Sequence, residues 1–248
     1  MKFPAILVAV LLSCLPLGGS TAADPVPEGF RSLFNEKDLS GWTIPEGDNG
    51  HWKVLDGVID YDAQSESKGE KHLWSAEEFG DFELHLDWRI KETTGFYDVP
   101  YVLPDGSTVK GPDGKNLTHP MPNADSGVYL RGMSKYQLNI WCWPIGSGEV
   151  YGIRNNESLP QEIRAGVTPN RQADNPVGEW NTFIITMKGD RLTVVLNGHT
   201  IIENAILPEV PEKGRLALQH HGGKKADGTW SPASSLVQFR NIYIRELK

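Results

Sequence analysis

The chain has 248 residues, 39% of them apolar, 23% charged and 9% aromatic, with a formal net charge of −8. The length is ample for a packed core, and the composition excludes collagen, coiled coil and wholesale disorder. The acidity argues against gripping a phosphate backbone, so no nucleic-acid partner is expected. Two cysteines, Cys14 and Cys142, cannot make a disulfide scaffold.

The first segment reads as an address. Lys2 is followed by an apolar run over 3–12 and small residues over 18–23. One positive charge, a short apolar stretch and a small-residue cleavage site predict a secretory signal over 1–23, cut after Ala23. The run is too short for a membrane span. The expectation is an exported protein, periplasmic or secreted, whose mature domain is 24–248. Residues 11–14 loosely resemble a bacterial lipoprotein box, with Leu12 unusual there, and Cys14 is expected to leave with the signal. Cys142 lies between Trp141 and Trp143 and reads as a small buried hydrophobe rather than a nucleophile.

Beyond the signal, alternation with a period of two dominates. Over 82–90, Phe82, Leu84, Leu86, Trp88 and Ile90 share one face, and Glu83, His85, Asp87 and Arg89 the other. Residues 126–131 and 136–141 repeat the pattern. Residues 183–188 and 192–197 are joined by Gly189-Asp190-Arg191, a hairpin signal, and Asn197-Gly198 turns the chain into 199–202. Segments 216–221 and 237–246 complete a set of about ten short strands, the pattern of an all-β sandwich or jelly roll. Two loops stand out. Residues 95–124 carry five prolines and four glycines and read as a loop or β-ribbon excursion between two core strands, and a second loop begins at Gly146-Ser147-Gly148 and runs to about 175. Loops of the first length are functional or mobile as a rule. Trp42, Trp52, Trp88 and Trp180 are expected in the core.

Several chemistries fail on motif grounds. Gly146-Ser147-Gly148 has neither the third glycine of a dinucleotide loop nor the flanks of a nucleophile elbow. Glu83 and Asp87 share a face, but four residues along a strand span about 13 Å, too far for the acid–nucleophile pair of a retaining glycosidase. His220 and His221 point to opposite faces of a strand, so both cannot bind one metal; a divalent metal near His221, with distant carboxylates, stays open. What remains is a set of polar and aromatic groups on the non-core faces: His85, Asp87, Arg89, Tyr129, Arg131, Gln137, Asn139, Trp141, Gln219 and His221. Carboxylates, amides and guanidinium pair with hydroxyls, and an indole stacks on a sugar ring. Asp87, His85 and His221 are candidate bases, and Arg89 and Arg131 candidate stabilisers of an oxyanion.

These residues fall within a recognisable series. It runs from residues 29–42 through Asp87-Trp88-Arg89, Asp125-Ser126-Gly127-Val128-Tyr129-Leu130-Arg131 and Gln137-Leu138-Asn139. It continues through Val150-Tyr151-Gly152, Glu179-Trp180-Asn181, Leu196-Asn197-Gly198, Gln219-His220-His221-Gly222 and Phe239-Arg240-Asn241. In this order they resemble the 3-keto-disaccharide hydrolase domain, also described as a 3-keto-glucoside lyase/hydratase domain, over 29–248. The resemblance implies a concanavalin-like jelly roll, substrate on its concave sheet, and glycosides already oxidised at C3. The ketone acidifies the C2 proton, a base removes it, the aglycone leaves from C1, and water adds back. Carried over residue by residue, it implies Asp87 or His221 as base, with Arg131 as the third catalytic group. His85, Arg89, Ser126, Tyr129, Gln137, Asn139, Trp141, Tyr151 and Gln219 would bind substrate. This sequence departs from the family pattern in having Asp87 for Glu, Asp125 for Asn, and Gln137 and Asn139 where Glu and Gln are commoner. Two other readings stay open: a non-catalytic carbohydrate-binding module and a conventional jelly-roll glycosidase.

Overall fold

The computed structural model describes residues 25–224, 226–231 and 236–248; the expected signal over 1–23 lies outside the described residues. In chain order the elements are β1 (Arg31–Ser32), β2 (Trp42–Thr43), β3 (Trp52–Leu55), β4 (Val58–Tyr61), β5 (Leu73–Phe79) and β6 (Phe82–Glu92). Then follow β7 (Phe96–Pro100), β8 (Thr118–Pro122), β9 (Asp125–Leu130), β10 (Met133–Trp141), α1 (Tyr151–Arg154) and α2 (Gln161–Gly166). The last group is β11 (Asn181–Lys188), β12 (Arg191–Leu196), β13 (His199–Ile206), β14 (Gly214–Leu218), β15 (Gly223–Lys224), β16 (Trp230–Ser231) and β17 (Leu236–Glu246).

Two antiparallel sheets make a jelly-roll sandwich, as the alternation predicts. The larger, eight-stranded sheet runs β13-β12-β11-β6-β17-β4-β3, with β1 added beside β17; the smaller runs β10-β9-β14-β5-β2. Each strand sends alternate side chains inward. Phe82, Leu84, Leu86, Trp88, Phe183, Ile185, Val237 and Phe239 from the large sheet meet Leu73, Val128, Leu130, Leu138, Ile140, Leu216 and Leu218 from the small one in one core. Burying a side chain of this size contributes roughly 1.5–3 kcal/mol, which is why one face of each strand is fixed inward and the other faces out.

Local chemistry sets the register. Asn197 and Gly198 both take positive φ (50° and 79°), so the β12–β13 turn is the two-residue type whose twist suits a hairpin. Gly189, with a φ of 57°, and Asp190 join β11 to β12 in a second two-residue turn. Gly214 is required by crowding: a Cβ there would lie 2.4 Å from the Arg131 carbonyl carbon.

Two features differ from the sequence expectation, the second loop and Trp180, and a third is narrowed. The second loop is not structureless, because it contains α1 and α2. Of the two forms expected for the 95–124 excursion, a loop or a β-ribbon, the structure has the ribbon: β7 pairs β8, and further bridges join Val102 to Thr108 and Lys110 to Asn116. Its tip is anchored: Gln161 of α2 donates to Asp105 at 2.6 Å, and Gly106 packs against the Arg164 carbonyl. Trp180 is not in the core. It lies half-buried outside the large sheet, with the guanidinium of Arg89 at 4.6 Å and that of Arg240 at 4.1 Å from its ring centroid. Trp42, Trp52 and Trp88 are buried as expected, and Cys142 packs partly buried against the core.

Candidate active site

The residues singled out by sequence separate onto opposite sides of the sandwich. His85, Asp87 and Arg89 lie on β6, pointing outward from the large sheet. Tyr129, Gln137, Asn139, Trp141, Gln219 and His221 belong to the small sheet and its edge. The core lies between the two groups, so they do not form one site.

The large-sheet group is a closed network. Asp87 lies opposite Thr182 on β11 and opposite Arg240 on β17. Its Oδ1 accepts from Thr182 at 2.7 Å, and its Oδ2 accepts from Arg240 Nε at 3.2 Å and Asn241 Nδ2 at 2.8 Å. Asn241 reaches it because the β17 register shifts between Arg240 and Tyr243, where Asn241 takes a φ of 50°. Arg89 donates to Gln238 at 2.7 Å, and His85 Nε2 stands 4.0 Å from Asp87. A carboxylate whose side chain is only 8% exposed and held by three donors is a buried anchor between strands.

Arg131 is an anchor of the same kind. It sits in the left-handed region (φ 47°) at the turn after β9. Its guanidinium donates to the carbonyls of Gly80, Gly189 and Pro211 at 3.0, 2.7 and 2.8 Å, and to Asp81 at 2.9 Å. Its side chain is 1% exposed, so it holds three loops together at one end of the sandwich and presents no donor to a ligand. Ser126 likewise turns inward, donating to the Gln219 carbonyl at 3.0 Å.

The small-sheet group converges. Gln137 lies opposite Tyr129, and Asn139 opposite Gly127. A Cβ on Gly127 would come 2.5 Å from Gln137 Nε2, so the glycine leaves the space that Gln137 lies across. From there Gln137 donates to Gln219 Oε1 at 2.5 Å and to Asn139 Oδ1 at 2.8 Å. Gln219 in turn hydrogen-bonds Tyr129, whose hydroxyl burial pushes up to about 12. The His72 ring meets Tyr129 edge-on at 4.6 Å, and Trp74 flanks it at 5.9 Å. His72 Nδ1 accepts the His220 backbone N–H at 3.0 Å, which fixes the tautomer with the proton on Nε2.

Beside these lies a pair that sequence reasoning only half identified. His221 Nδ1 stands 3.6 Å from Asp125 Oδ2. Burial raises the Asp125 carboxyl to about 7, and burial together with the neighbouring His72 lowers the His221 imidazole. His221 retains 34% side-chain exposure, so its imidazole is reachable from outside. An acid and a base whose environments bring both toward neutrality are the usual mark of a proton-transfer site. His220 points the other way, edge-on to Tyr61 and hydrogen-bonded to it.

The walls are aromatic. Trp141 is buried, donating to the Gly146 carbonyl at 2.7 Å, and Trp143 stacks on it at 4.0 Å and 5°. Trp143 is therefore the indole nearer to solvent, and it donates to Tyr97 of the excursion at 2.5 Å. Tyr151 meets both indoles edge-on at 6.2 Å. On the other flank a cleft of about 670 Å³ is bordered by Glu70, His72, Trp74, Glu78 and Arg215. Arg215 lies 5.8 Å from the Trp74 ring centroid. Asp125, His72, Trp74, Tyr97 and Arg215 were missed as site residues; Asp125 was visible as the residue before Ser-Gly, and the others carry no local motif. Among the described residues no three His, Cys, Asp or Glu side chains group as metal ligands.

A jelly-roll sandwich with amides, tyrosines and indoles gathered over one sheet defines a carbohydrate-active domain. The chain belongs to the family of 3-keto-alpha-glucoside-1,2-lyase-like domains, whose model matches residues 29–245. Two crystal structures from Parabacteroides distasonis, both provisionally described as glycosyl hydrolases, share the fold. One is 19% identical with a TM-score of 0.54, covering 89% of this chain and 95% of that one. The other is 21% identical with a TM-score of 0.51, covering 88% and 99%. A search of curated proteins finds no significant match. No helix among the described residues is long and apolar enough to cross a membrane.

Proposed function

We propose that this protein is an exported enzyme that cleaves glycosides carrying a ketone at C3, by removing the C2 proton and eliminating the C1 aglycone. The observation that carries this reading is the Asp125–His221 pair beside Tyr129 and His72, on the amide-floored face of the small sheet. His221 is neutral near pH 7, and with Nδ1 turned to Asp125 its Nε2 is the atom that takes the C2 proton. Asp125 then stabilises the imidazolium, as a carboxylate beside a catalytic histidine does. The electrons from the C2–H bond shift into the ketone, and the enediolate oxygen is met by the Tyr129 hydroxyl and the His72 Nε2–H. The enediolate collapses to restore the ketone and form a C1–C2 double bond as the C1–oxygen bond breaks, and the departing aglycone oxygen takes its proton from the His221 imidazolium. Gln137, Asn139 and Gln219 hold sugar hydroxyls, and Trp143 in place of the more deeply buried Trp141 offers a stacking face. Asp87, Arg89 and Arg131 serve the scaffold.

The chemistry needs no pair of carboxylates at glycosidase spacing. The test is incubation with a 3-keto-glucoside in deuterated buffer, following C2 exchange and aglycone release. Release accompanied by exchange is expected. Cleavage of the unoxidised glycoside would favour a conventional glycosidase, and sugar binding with neither event would favour a binding module.

A further inference from the structure

A second, smaller cavity lies where the 95–124 ribbon meets the loop after β10. It is about 110 Å³, with Tyr101 and His119 on one side, Trp143 on the other, and Pro100 and Pro144 closing the ends. His119 comes from β8, and Tyr101 packs on its ring at 4.1 Å. Both imidazole nitrogens of His119 are shielded from solvent, and neither has a hydrogen-bond partner among the described residues. A neutral imidazole carries one donor and one acceptor, and leaving both unmet costs roughly 1–3 kcal/mol apiece, so the cavity is built to receive a group that supplies a hydrogen bond.

The walls say what kind of group. No carboxylate, amide or guanidinium lines the space. A pyranose presents several hydroxyls and would leave most of them unpaired there, at a cost in binding. A flat aromatic ring with one hydroxyl suits both the apolar walls and the single imidazole. A cavity of ~150 Å³ takes benzene, so this one, at about 110 Å³, is on the scale of a single ring and not of a larger group. The ribbon extends the apolar character outward: Phe96 is 74% exposed and Tyr101 46%, with Leu103 and Leu117 exposed beside them.

The cavity is linked to the proton-transfer pair through Trp143 and Tyr97. Trp143 forms its wall and donates to Tyr97. Tyr97 in turn reaches the Ala124 carbonyl at 3.4 Å, next to Asp125, whose charge helps raise the tyrosine hydroxyl. We infer that this cavity is the subsite for the leaving group, and that the preferred substrates are aryl glycosides whose phenolic oxygen becomes the aglycone hydroxyl and hydrogen-bonds His119. This rests on the elimination reading for the reaction, but binding of the free product can be measured without turnover.

The test uses phenol and 4-nitrophenol as probes of the full protein by calorimetry, with glucose as the control. It also compares steady-state kinetics on a 3-keto aryl glucoside and a 3-keto disaccharide. The expected result is saturable phenol binding that falls about tenfold in His119→Phe, the loss of one hydrogen bond. KM for the aryl substrate should rise by a similar factor while the disaccharide is unaffected. Tyr101→Ala, at an exposed ribbon position, should weaken phenol binding in the same direction should His119→Phe fail to fold. Absence of saturable phenol binding in the wild type, tighter binding of glucose than of phenol, or equal damage to both substrates would overturn the inference. Phenol binding without any turnover would leave the subsite standing and remove the proposed reaction.

Discussion

On the outer face of the large sheet, Asp87 is met by Thr182, Arg240 and Asn241 at 2.7–3.2 Å. On the outer face of the small sheet, Asp125 looks across 3.6 Å to His221 and is driven up to about 7 by burial. The residue type is the same, and both side chains sit on strands. The difference lies in what the neighbouring strands contribute. β11 and β17 supply hydrogen-bond donors opposite Asp87, so its charge is fixed in place. Around Asp125 burial disfavours the charge and raises the carboxyl to about 7, with His221 3.6 Å away. A network of charge-assisted hydrogen bonds fixes a carboxylate as part of the wall, whereas a carboxyl that burial brings near neutral pH is suited to proton transfer.

The comparison can be broken most severely at Arg131. Arg131→Ala removes four hydrogen bonds and leaves Asp81 without its buried cation. The expected loss is about 3–5 kcal/mol, read as a fall in Tm of roughly 10 °C or more. Asp87→Asn is expected to cost less, about 1–3 kcal/mol by denaturant titration, because an amide accepts from Thr182 but meets Arg240 and Asn241 poorly. Its turnover of a 3-keto-glucoside should stay within about twofold of wild type. A large drop in turnover from Asp87→Asn in protein that remains folded would remove the distinction between the faces.

The pH dependence sharpens the contrast. Burial raises Asp125 to about 7, and also Glu149, buried in the loop after β10 beside Arg154, whose guanidinium pulls the other way, to about 7. Their unfolded forms ionise near 4, so between about pH 4 and 7 the unfolded chain gives up protons that the folded one keeps, and stability falls as pH rises through that window. Asp125→Asn removes its share of the penalty. The variant should therefore gain several °C in Tm over wild type at pH 7.5 and show little difference at pH 4, measured by scanning calorimetry. His220 acts in the opposite direction: burial lowers it to about 4, so its contribution is present above about 6.5 and is lost as pH falls toward 4. The smallest expected effect is at Trp180. Trp180→Leu removes two cation–π contacts on the large sheet and should cost about 1 kcal/mol by denaturant titration without touching activity.

Much of the sandwich was legible in the sequence because burial fixes strand phase. The alternation over 82–90, the Asn197-Gly198 turn and the hairpin before Arg191 all appear where the pattern puts them. The division of the site was not legible. Alternation says that Asp87 and Tyr129 point away from the core, but not that β6 and β9 belong to different sheets, so two outer faces merged into one. Arg131 was read as a ligand contact because a buried guanidinium caged by three backbone carbonyls leaves no trace in a motif. Those carbonyls belong to residues 80, 189 and 211, far apart in the chain. Trp180 was assigned to the core by its type, whereas two arginines from adjacent strands hold it outside. The pairing of Asp125 with His221 spans nearly a hundred positions, and only the fold brings them together.

The central claim is that proton transfer belongs to the small-sheet face. The direct measurement is C2–deuterium exchange of a 3-keto-glucoside in deuterated buffer by wild type, Asp87→Asn, Asp125→Asn and His221→Gln, each shown folded by its thermal transition. The account predicts exchange at close to the wild-type rate for Asp87→Asn and a fall of about 10²–10⁴-fold for His221→Gln, with a substantial fall for Asp125→Asn. Exchange retained in His221→Gln and lost in Asp87→Asn would contradict it.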